Sequence, residues 1–196
     1  MKYFSIITDL PVFDSDELLS TLSFMLQEEK VHWGGSNQIC LNTTADHVND
    51  YTFGCGSLAY DWSNKQSTTV DGITSIKVQP RSKVYHDRDF TILCDQFKGT
   101  IFEKVYTALE SKYQLGRVRL MMSLPKTCLS WHHDTTPRIH FPIKTQLGCS
   151  MVIEDEVIHL TKSHWWSTDT TRMHTAFNAS LESRIHLVAS VIQKYE

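Results

Sequence analysis

The sequence lacks the features that mark exported and membrane-embedded proteins. It has no run approaching the ~18 uninterrupted apolar residues that a membrane-spanning helix needs. Its short apolar start, residues 3–7, meets Asp9 too soon for a signal peptide. These absences predict a soluble, intracellular protein of the cytoplasm with no membrane partner.

Blocks of basic residues are absent as well. The chain has 19 lysines and arginines against 22 aspartates and glutamates, and its formal net charge is −3. A protein that coats nucleic acid needs a concentration of positive charge. Nucleic acid is therefore not an expected partner.

Cysteine is scarce, and the sequence contains no C-x-x-C pair. An odd number of scattered cysteines disfavours both a disulfide framework and a structural zinc site. We predict reduced thiols, mostly buried, at all five positions: Cys40, Cys55, Cys94, Cys128 and Cys149.

The composition that is present fits a single folded domain over residues 1–196. The chain is 41% hydrophobic and 21% charged, and no repeat or linker divides it. The two halves differ in pattern. Residues 1–115 form a helical and mixed scaffold in this interpretation, and residues 116–196 form a β-rich core.

Two helices are predicted in the first half. One begins at Asp14 and runs to about Glu29, and the other begins with a capping-box pattern at Thr100 and runs to about Tyr113. Residues 31–95 between them indicate short strands and loops. Within that stretch, residues 86–89 offer possible metal ligands, although a solvated charged turn is the favoured interpretation.

After Gly116 the pattern changes to short strands without an intervening helix. Such a series is typical of an antiparallel sandwich or barrel, here buttressed by the two helices. The predicted strands cover residues 117–124, 138–146, 149–154, 157–161, 173–177 and 184–192.

A possible metal site lies in this second half. His132 and Asp134 are two positions apart, so they share one face of an extended strand, and His174 follows 42 residues after His132. Two histidines and one carboxylate leave three coordination positions open, as a non-haem Fe(II) oxygenase requires. An H-x-D triplet alone is common by chance, and a strand histidine is more often a hydrogen-bonded core or surface residue. His133 is expected to point away from a metal.

Two arginines extend the pattern. Arg184 lies ten residues beyond His174. Its guanidinium can bind the far carboxylate of 2-oxoglutarate through two charge-assisted hydrogen bonds. Arg138 and His140 share a strand face and are candidates for the metal-proximal end of that cosubstrate.

Several other polar and aromatic residues have two interpretations. Arg117 and Arg119 alternate on one strand face; they either meet an anionic substrate or, as the favoured alternative, form a solvated face. Asn178 either orients a bound group or satisfies a turn. Surface or rim positions are expected for His159 and His164, and packing roles for Trp131, Trp165 and Trp166.

The ordered set of these residues resembles the aspartyl/asparaginyl β-hydroxylase family of Fe(II)/2-oxoglutarate dioxygenases, which is itself similar to the proline 3-hydroxylases. The resemblance covers roughly residues 117–192. The matching positions, in order, are Leu124-Pro125, His132-x-Asp134, Arg138-Ile139-His140-x-Pro142-Ile143-x-Thr145, Trp165 or Trp166, His174-x-x-x-Asn178 and Arg184-Ile185-His186-Leu187-Val188.

The resemblance implies a mainly β fold with flanking helices, a double-stranded β-helix or cupin-like jelly roll. It implies Fe(II) on His132, Asp134 and His174, 2-oxoglutarate on Arg184, and a role near that cosubstrate for Arg138 and His140. Some members lack the carboxylate ligand, so Asp134 aligns this chain with the three-ligand members, which include the free-proline hydroxylases.

The function expected from these observations is hydroxylation of an amino-acid side chain, in a peptide or protein or in a free amino acid. The reaction would consume dioxygen and convert 2-oxoglutarate into succinate and CO₂. The alternative is a non-catalytic cupin-like metal-binding module, which would have no need of Arg184. Substrate selection is assigned to residues 1–115.

Overall fold

The computed structural model describes residues 1–195 and, over residues 61–64, the backbone only. In chain order its elements are β1 (Phe4–Ile7), α1 (Ser15–Gln27), β2 (Gln38–Cys40), β3 (Asn42–Thr43), β4 (Tyr60–Val70), β5 (Ile73–Pro80), β6 (Ile92–Leu93), α2 (Ile101–Glu110), β7 (Tyr113–Ser123), β8 (Thr127–Cys128), β9 (Arg138–Lys144), β10 (Cys149–Ile153), β11 (Glu156–Ile158), β12 (Trp165–Thr168), β13 (His174–Asn178) and β14 (Arg184–Lys194). Short 3₁₀ turns lie at Gly35–Asn37, Ala45–His47, Asp87–Asp89 and Asp95–Phe97.

Both predicted helices form, and each begins at its predicted cap. The Asp14 carboxylate accepts a hydrogen bond from the backbone N–H of Asp16 at 2.8 Å, and the Thr100 hydroxyl accepts one from that of Phe102 at 3.1 Å. The predicted end of the second helix at Tyr113 is wrong. The helix ends at Glu110 because Tyr113 begins β7.

The strands form two main antiparallel sheets. The larger has the order β1-β12-β9-β14-β7-β2, and the smaller has the order β11-β10-β13-β8. From β7 onward the chain crosses repeatedly between them: β7, β9, β12 and β14 join the larger sheet, and β8, β10, β11 and β13 join the smaller. This is the double-stranded β-helix of a cupin-like jelly roll, with helices outside it, and it confirms the predicted fold class.

The larger sheet has an apolar outer face and a polar inner face. Leu120, Phe141 and Leu187 lie on the outer face and belong to one buried cluster with residues of both helices. On the opposite face Trp166 packs against Met151, Ile153 and Ala176 of the smaller sheet. We call the face toward the smaller sheet the inner face.

Polar and charged side chains occupy much of this inner face. Alternation along the strands and the observed cross-strand register place six of them there: Arg119, Arg138, His140, Arg184, His186 and Ser190. A buried polar face is unusual, because each polar group loses contact with water. The candidate site lies on this face.

Two strands of the larger sheet were not predicted. β12 follows His164, and β1 pairs with it from the other end of the chain, with Phe4 opposite Thr168. A turn at Asp71-Gly72 joins β4 and β5, and both residues have positive φ, 51° and 77°.

All five cysteines are free thiols, and three of them are buried: Cys40, Cys94 and Cys149. Among the described residues, no helix has the length and apolar character needed to cross a membrane.

Candidate metal centre

The backbone brings the three candidate metal ligands together. His132 and His174 lie opposite each other as an antiparallel pair, each donating its N–H to the other's carbonyl, at 3.1 and 2.8 Å. The N–H of Asp134 donates to the carbonyl of Thr170 at 2.8 Å. These bonds fix the two short segments that carry the ligands.

The potential ligand atoms of His132, Asp134 and His174 all lie within 4.8 Å of one another. Asp134 Oδ2 is 3.7 Å from His174 Nε2. Atoms at these separations can surround one metal ion. Two imidazoles and a carboxylate occupy three positions and leave the others to exogenous ligands.

Hydrogen bonds orient both imidazole rings toward this centre. Nδ1 of His132 lies 2.7 Å from the carbonyl of Ser130, and Nδ1 of His174 lies 2.9 Å from the carbonyl of Arg172. A carbonyl only accepts, so Nδ1 of each ring carries the proton and Nε2 keeps its lone pair for a metal. Burial lowers the pKa of His174, which favours the neutral, ligating form. The donor set therefore fits a divalent transition metal.

A chain of buried ion pairs holds the carboxylate. Asp134 Oδ1 is 3.1 Å from Nη2 of Arg138, which also donates to Asp87 Oδ2 at 3.3 Å. Asp87 Oδ1 in turn accepts from Arg117 Nε at 2.7 Å and from the hydroxyl of Ser190 at 2.9 Å. This arrangement leaves Asp134 Oδ2 directed at His174.

Asp87 and Arg117 are therefore buried, and the prediction that each lies in a solvated region was wrong. Burial alone would raise the pKa of Asp87, but the guanidinium groups of Arg117 and Arg138 hold it well below its usual range. The local sequence around Asp87 looks solvated because its partners lie far along the chain.

Arg184 lies at the far end of the inner face. It is buried, its Nη2 donates to the Ser123 hydroxyl at 3.1 Å, and its Nε has no partner among the described residues. Burial lowers its pKa. A guanidinium in this condition is suited to a carboxylate ligand.

Two imidazoles lie on the inner face between Arg184 and the metal centre. The rings of His140 and His186 meet edge to face with centroids 5.8 Å apart, and all four of their nitrogens are buried with no partner among the described side chains and backbone. Burial and the neighbouring arginines Arg184 and Arg138 lower the pKa of His140 to about 3, and burial lowers that of His186 well below its usual value. Sequence reasoning assigned no role to His186, although the two-residue alternation that linked Arg138 to His140 links Arg184 to His186 equally well.

Arg119 is also buried, which corrects the expectation of a solvated face for this residue. Its Nη1 donates to Gln38 Oε1 at 3.0 Å, and its Nε has no partner among the described residues. Sequence reasoning missed Gln38, since nothing local connects β2 with β7.

The remaining candidates have structural or surface positions. Asn178 is fully buried and satisfies a turn, donating to the carbonyls of Ser123 and Glu182. Trp165 and Trp166 are buried packing residues, whereas Trp131 is half exposed. His133 and His164 are exposed, as expected.

Strand order and the clustered donors together define a cupin-type jelly roll with a candidate metal centre of the non-haem type. The sequence profile of the aspartyl/asparaginyl beta-hydroxylase family matches residues 94–194, just over half of the chain. The chain belongs to this family, which places it among the proteins resembling 2-oxoglutarate/Fe(II) oxygenases. The match contains every candidate ligand.

Solved structures similar to this chain include oxygenase and cupin proteins. An oxidoreductase of the 2OG-Fe(II) oxygenase family from Burkholderia pseudomallei has 14% identity and a TM-score of 0.36, over 39% of this chain and 43% of its own. A cupin domain from Bordetella pertussis has 14% identity and a TM-score of 0.34, over 38% of this chain and 79% of its own. AviO1 from Streptomyces viridochromogenes has 11% identity and a TM-score of 0.44, over 99% of this chain and 92% of its own. This chain thus aligns with less than half of the Burkholderia protein. No curated protein sequence matches this chain.

Proposed function

We propose that this protein is an Fe(II)- and 2-oxoglutarate-dependent hydroxylase of an amino-acid side chain, in a peptide or protein or in a free amino acid. The observation that carries the proposal is the convergence of His132, Asp134 and His174 on one point, with both imidazole Nε2 atoms free. Membership of the family supports iron and 2-oxoglutarate as the groups that this site takes.

Each side chain has a defined task in this proposal. His132, Asp134 and His174 hold the metal, and Arg138 holds the non-ligating oxygen of Asp134. Arg184 binds the far carboxylate of 2-oxoglutarate. Arg138 and His140 lie near the metal-proximal end of that molecule, which the neutral ring of His140 faces without adding charge.

When bound, iron, 2-oxoglutarate and dioxygen supply the oxidising chemistry, in which a C–H bond of the substrate becomes C–OH and 2-oxoglutarate becomes succinate and CO₂. The protein binds and orients the reactants and keeps bulk water away from them. The buried inner face, closed on one side by the smaller sheet, provides that exclusion.

Succinate formation tests the proposal. Purified protein supplied with Fe(II), 2-oxoglutarate and oxygen should release succinate, at least slowly without substrate, and His174→Ala should not exceed the metal-free background. His133→Ala is the matched control, because His133 neighbours the site in sequence but is exposed. Absence of succinate from protein that binds iron and 2-oxoglutarate, across peptide and amino-acid substrates, would contradict the proposed activity.

Arg184 gives a sharper prediction about the cosubstrate. Arg184→Ala should raise the 2-oxoglutarate concentration needed for half-saturation by about 100-fold, because a desolvated charge-assisted interaction is lost. Pyruvate has the same 2-oxo acid end but no far carboxylate, so its weaker binding should be unchanged by the substitution. Titration calorimetry with the metal-loaded protein measures both, with Arg88→Ala, an exposed arginine, as the control. An equal loss of affinity for 2-oxoglutarate and for pyruvate in Arg184→Ala would contradict the role assigned to Arg184.

A further inference from the structure

Four arginines are buried on or beside the inner face, but only two of them contact a carboxylate. Arg117 and Arg138 share Asp87, and Arg138 also reaches Asp134. Among the described residues, Arg119 and Arg184 contact no acid, and each donates to one neutral side chain, Gln38 or Ser123. Within the part of the chain whose side chains are described, the inner face therefore carries two guanidinium groups without a counter-charge.

A buried charge without a partner is costly, and proteins that retain one usually pair it with a ligand. Burial and the nearby Arg117 and Arg138 lower the pKa of Arg119 to about 9, because both disfavour the charged guanidinium. The proposed function assigns a ligand to Arg184 and none to Arg119.

Arg119 lies apart from Arg184, the residue proposed to bind the far carboxylate of 2-oxoglutarate. Arg119 pairs across the sheet with Val188, which pairs with His140, so Arg119 and His140 lie two strands apart in one row. Ser123, which pairs with Arg184, is four residues further along β7, about 13 Å away along the strand. Arg119 thus lies in the row of the inner face between the row of Arg184 and the row of Arg138.

The first half of the chain encloses this position. Gln38 Oε1 accepts hydrogen bonds from both Arg119 Nη1 and the backbone N–H of Gly56. Arg117 Nη1 donates to the carbonyls of Gly54 and Gly56 at 3.0 Å, so the 54–56 turn is fixed against the same edge. Only 7% of Arg119 is exposed, so its guanidinium lies below the surface, a position that favours a compact ligand over an extended peptide backbone.

We propose that Arg119 binds the carboxylate of the hydroxylation substrate, and that this substrate is a small free carboxylic acid such as an amino acid. The inference rests on the proposed function and adds the substrate class to it. Arg119 is a binding residue in this account, and Gln38 positions it by holding Nη1 while Nε and the rest of the fork remain available for the acid.

Binding without turnover tests the proposal. Protein loaded with redox-inert Zn(II) and 2-oxoglutarate is screened by saturation-transfer NMR against free L-amino acids, their α-carboxamides, and short peptides with and without an acidic side chain. We expect at least one free amino acid to bind, and its carboxamide to bind at least tenfold more weakly. Arg119→Gln should no longer bind the free amino acid more tightly than its carboxamide, whereas Arg119→Lys should keep part of that preference.

Two controls separate this inference from the proposed function and from a structural role. Arg119→Gln should leave 2-oxoglutarate affinity within twofold of wild type, whereas Arg184→Gln should weaken 2-oxoglutarate and spare the amino acid. The ligand-free Arg119→Gln protein should be as resistant to urea as wild type or more so, because an uncompensated buried charge is removed.

Four results would overturn the inference while leaving the proposed function intact. They are equal binding of acid and carboxamide, binding of acidic peptides in preference to free acids, loss of 2-oxoglutarate affinity in Arg119→Gln, and no binding by any acid in the panel at millimolar concentration. Failure of wild-type protein to bind 2-oxoglutarate at all would instead overturn the proposed function.

Discussion

At the scale of single residues, the site depends on Asp87, a side chain that coordinates nothing itself. It bridges Arg117 and Arg138, and Arg138 in turn holds the candidate ligand Asp134. Each of these groups is buried or half-buried, so each needs its partner to offset the loss of hydration. The geometry of the candidate metal centre therefore depends on an aspartate from the first half of the chain.

Removing the Asp87 charge should destabilise the protein. Asp87→Asn leaves Arg117 and Arg138 buried with too few counter-charges, so we expect a loss of about 3 kcal/mol in the free energy of unfolding. Urea denaturation measures it, with Asp71→Asn as the control, since Asp71 lies in an exposed turn at positive φ that asparagine tolerates. An Asp87→Asn protein as stable as the control would contradict the structural role of this ion-pair chain.

The two ring nitrogens of His140, which are buried with no partner among the described residues, should make the ligand-free protein sensitive to mild acid. Its folded-state pKa is lowered to about 3 from an ordinary value of 6.5, so the unfolded chain binds a proton that the folded protein does not. The stability present above pH 6.5 is therefore lost as the pH falls toward 3, by up to about 1.4 kcal/mol per pH unit.

Substitution isolates this contribution. Urea denaturation at about pH 7.5 and about pH 5.5 should show a smaller loss of stability for His140→Leu than for wild type. His133→Leu, at an exposed position, should behave like wild type. An unchanged pH dependence in His140→Leu would mean that this ring is not held neutral in the folded protein.

The site residues that could be predicted from the sequence are those with a local pattern. His132 with Asp134, and Arg138 with His140, are two residues apart on extended chain, and their order along the chain carries the family resemblance. Asp87 gave no such signal, because its partners Arg117 and Arg138 are 30 and 51 residues away. Burial of Arg119 was missed for the same reason.

At the scale of secondary-structure elements, β12 and β1 are the strands of the larger sheet that sequence reasoning did not find. Trp165 and Trp166 on β12 are both buried, one against each face of the larger sheet, so the strand lacks the alternation of apolar and polar residues that marks a half-exposed strand. β1 pairs with β12 across almost the whole chain length, and no local pattern encodes that pairing. The helices were found because caps and helical periodicity are local.

β1 should contribute strongly to stability through one side chain. Phe4 is 2% exposed and packs in the cluster with Met151, Ile153 and Trp166, whereas Ile6 on the same strand is 44% exposed. We expect Phe4→Ala to cost about 3 kcal/mol or more of unfolding free energy and Ile6→Ala less than about 1 kcal/mol. Chemical denaturation compares the two. Similar small losses of unfolding free energy in Phe4→Ala and Ile6→Ala would show that β1 does not pack on β12 in solution.

At the scale of the whole molecule, the jelly roll separates two kinds of packing. The outer face of the larger sheet is apolar and is covered by the helices, whereas the inner face collects arginines and histidines between the two sheets. The first half supplies β1, β2, Gln38 and Asp87 to this arrangement, so residues 1–115 complete the site as well as cover the sheet. An interior with this excess of positive charge is suited to anionic ligands.

Binding of iron and 2-oxoglutarate at this site can be observed by an anaerobic titration of the purified protein with Fe(II) and then 2-oxoglutarate, followed by visible absorption. Chelation of iron by the 2-oxo acid gives a weak metal-to-ligand charge-transfer band. We expect this band in wild type and in His133→Ala, and its loss in His174→Ala. Wild-type protein that binds iron but gives no band with 2-oxoglutarate would contradict the account and favour a cupin-like metal-binding module.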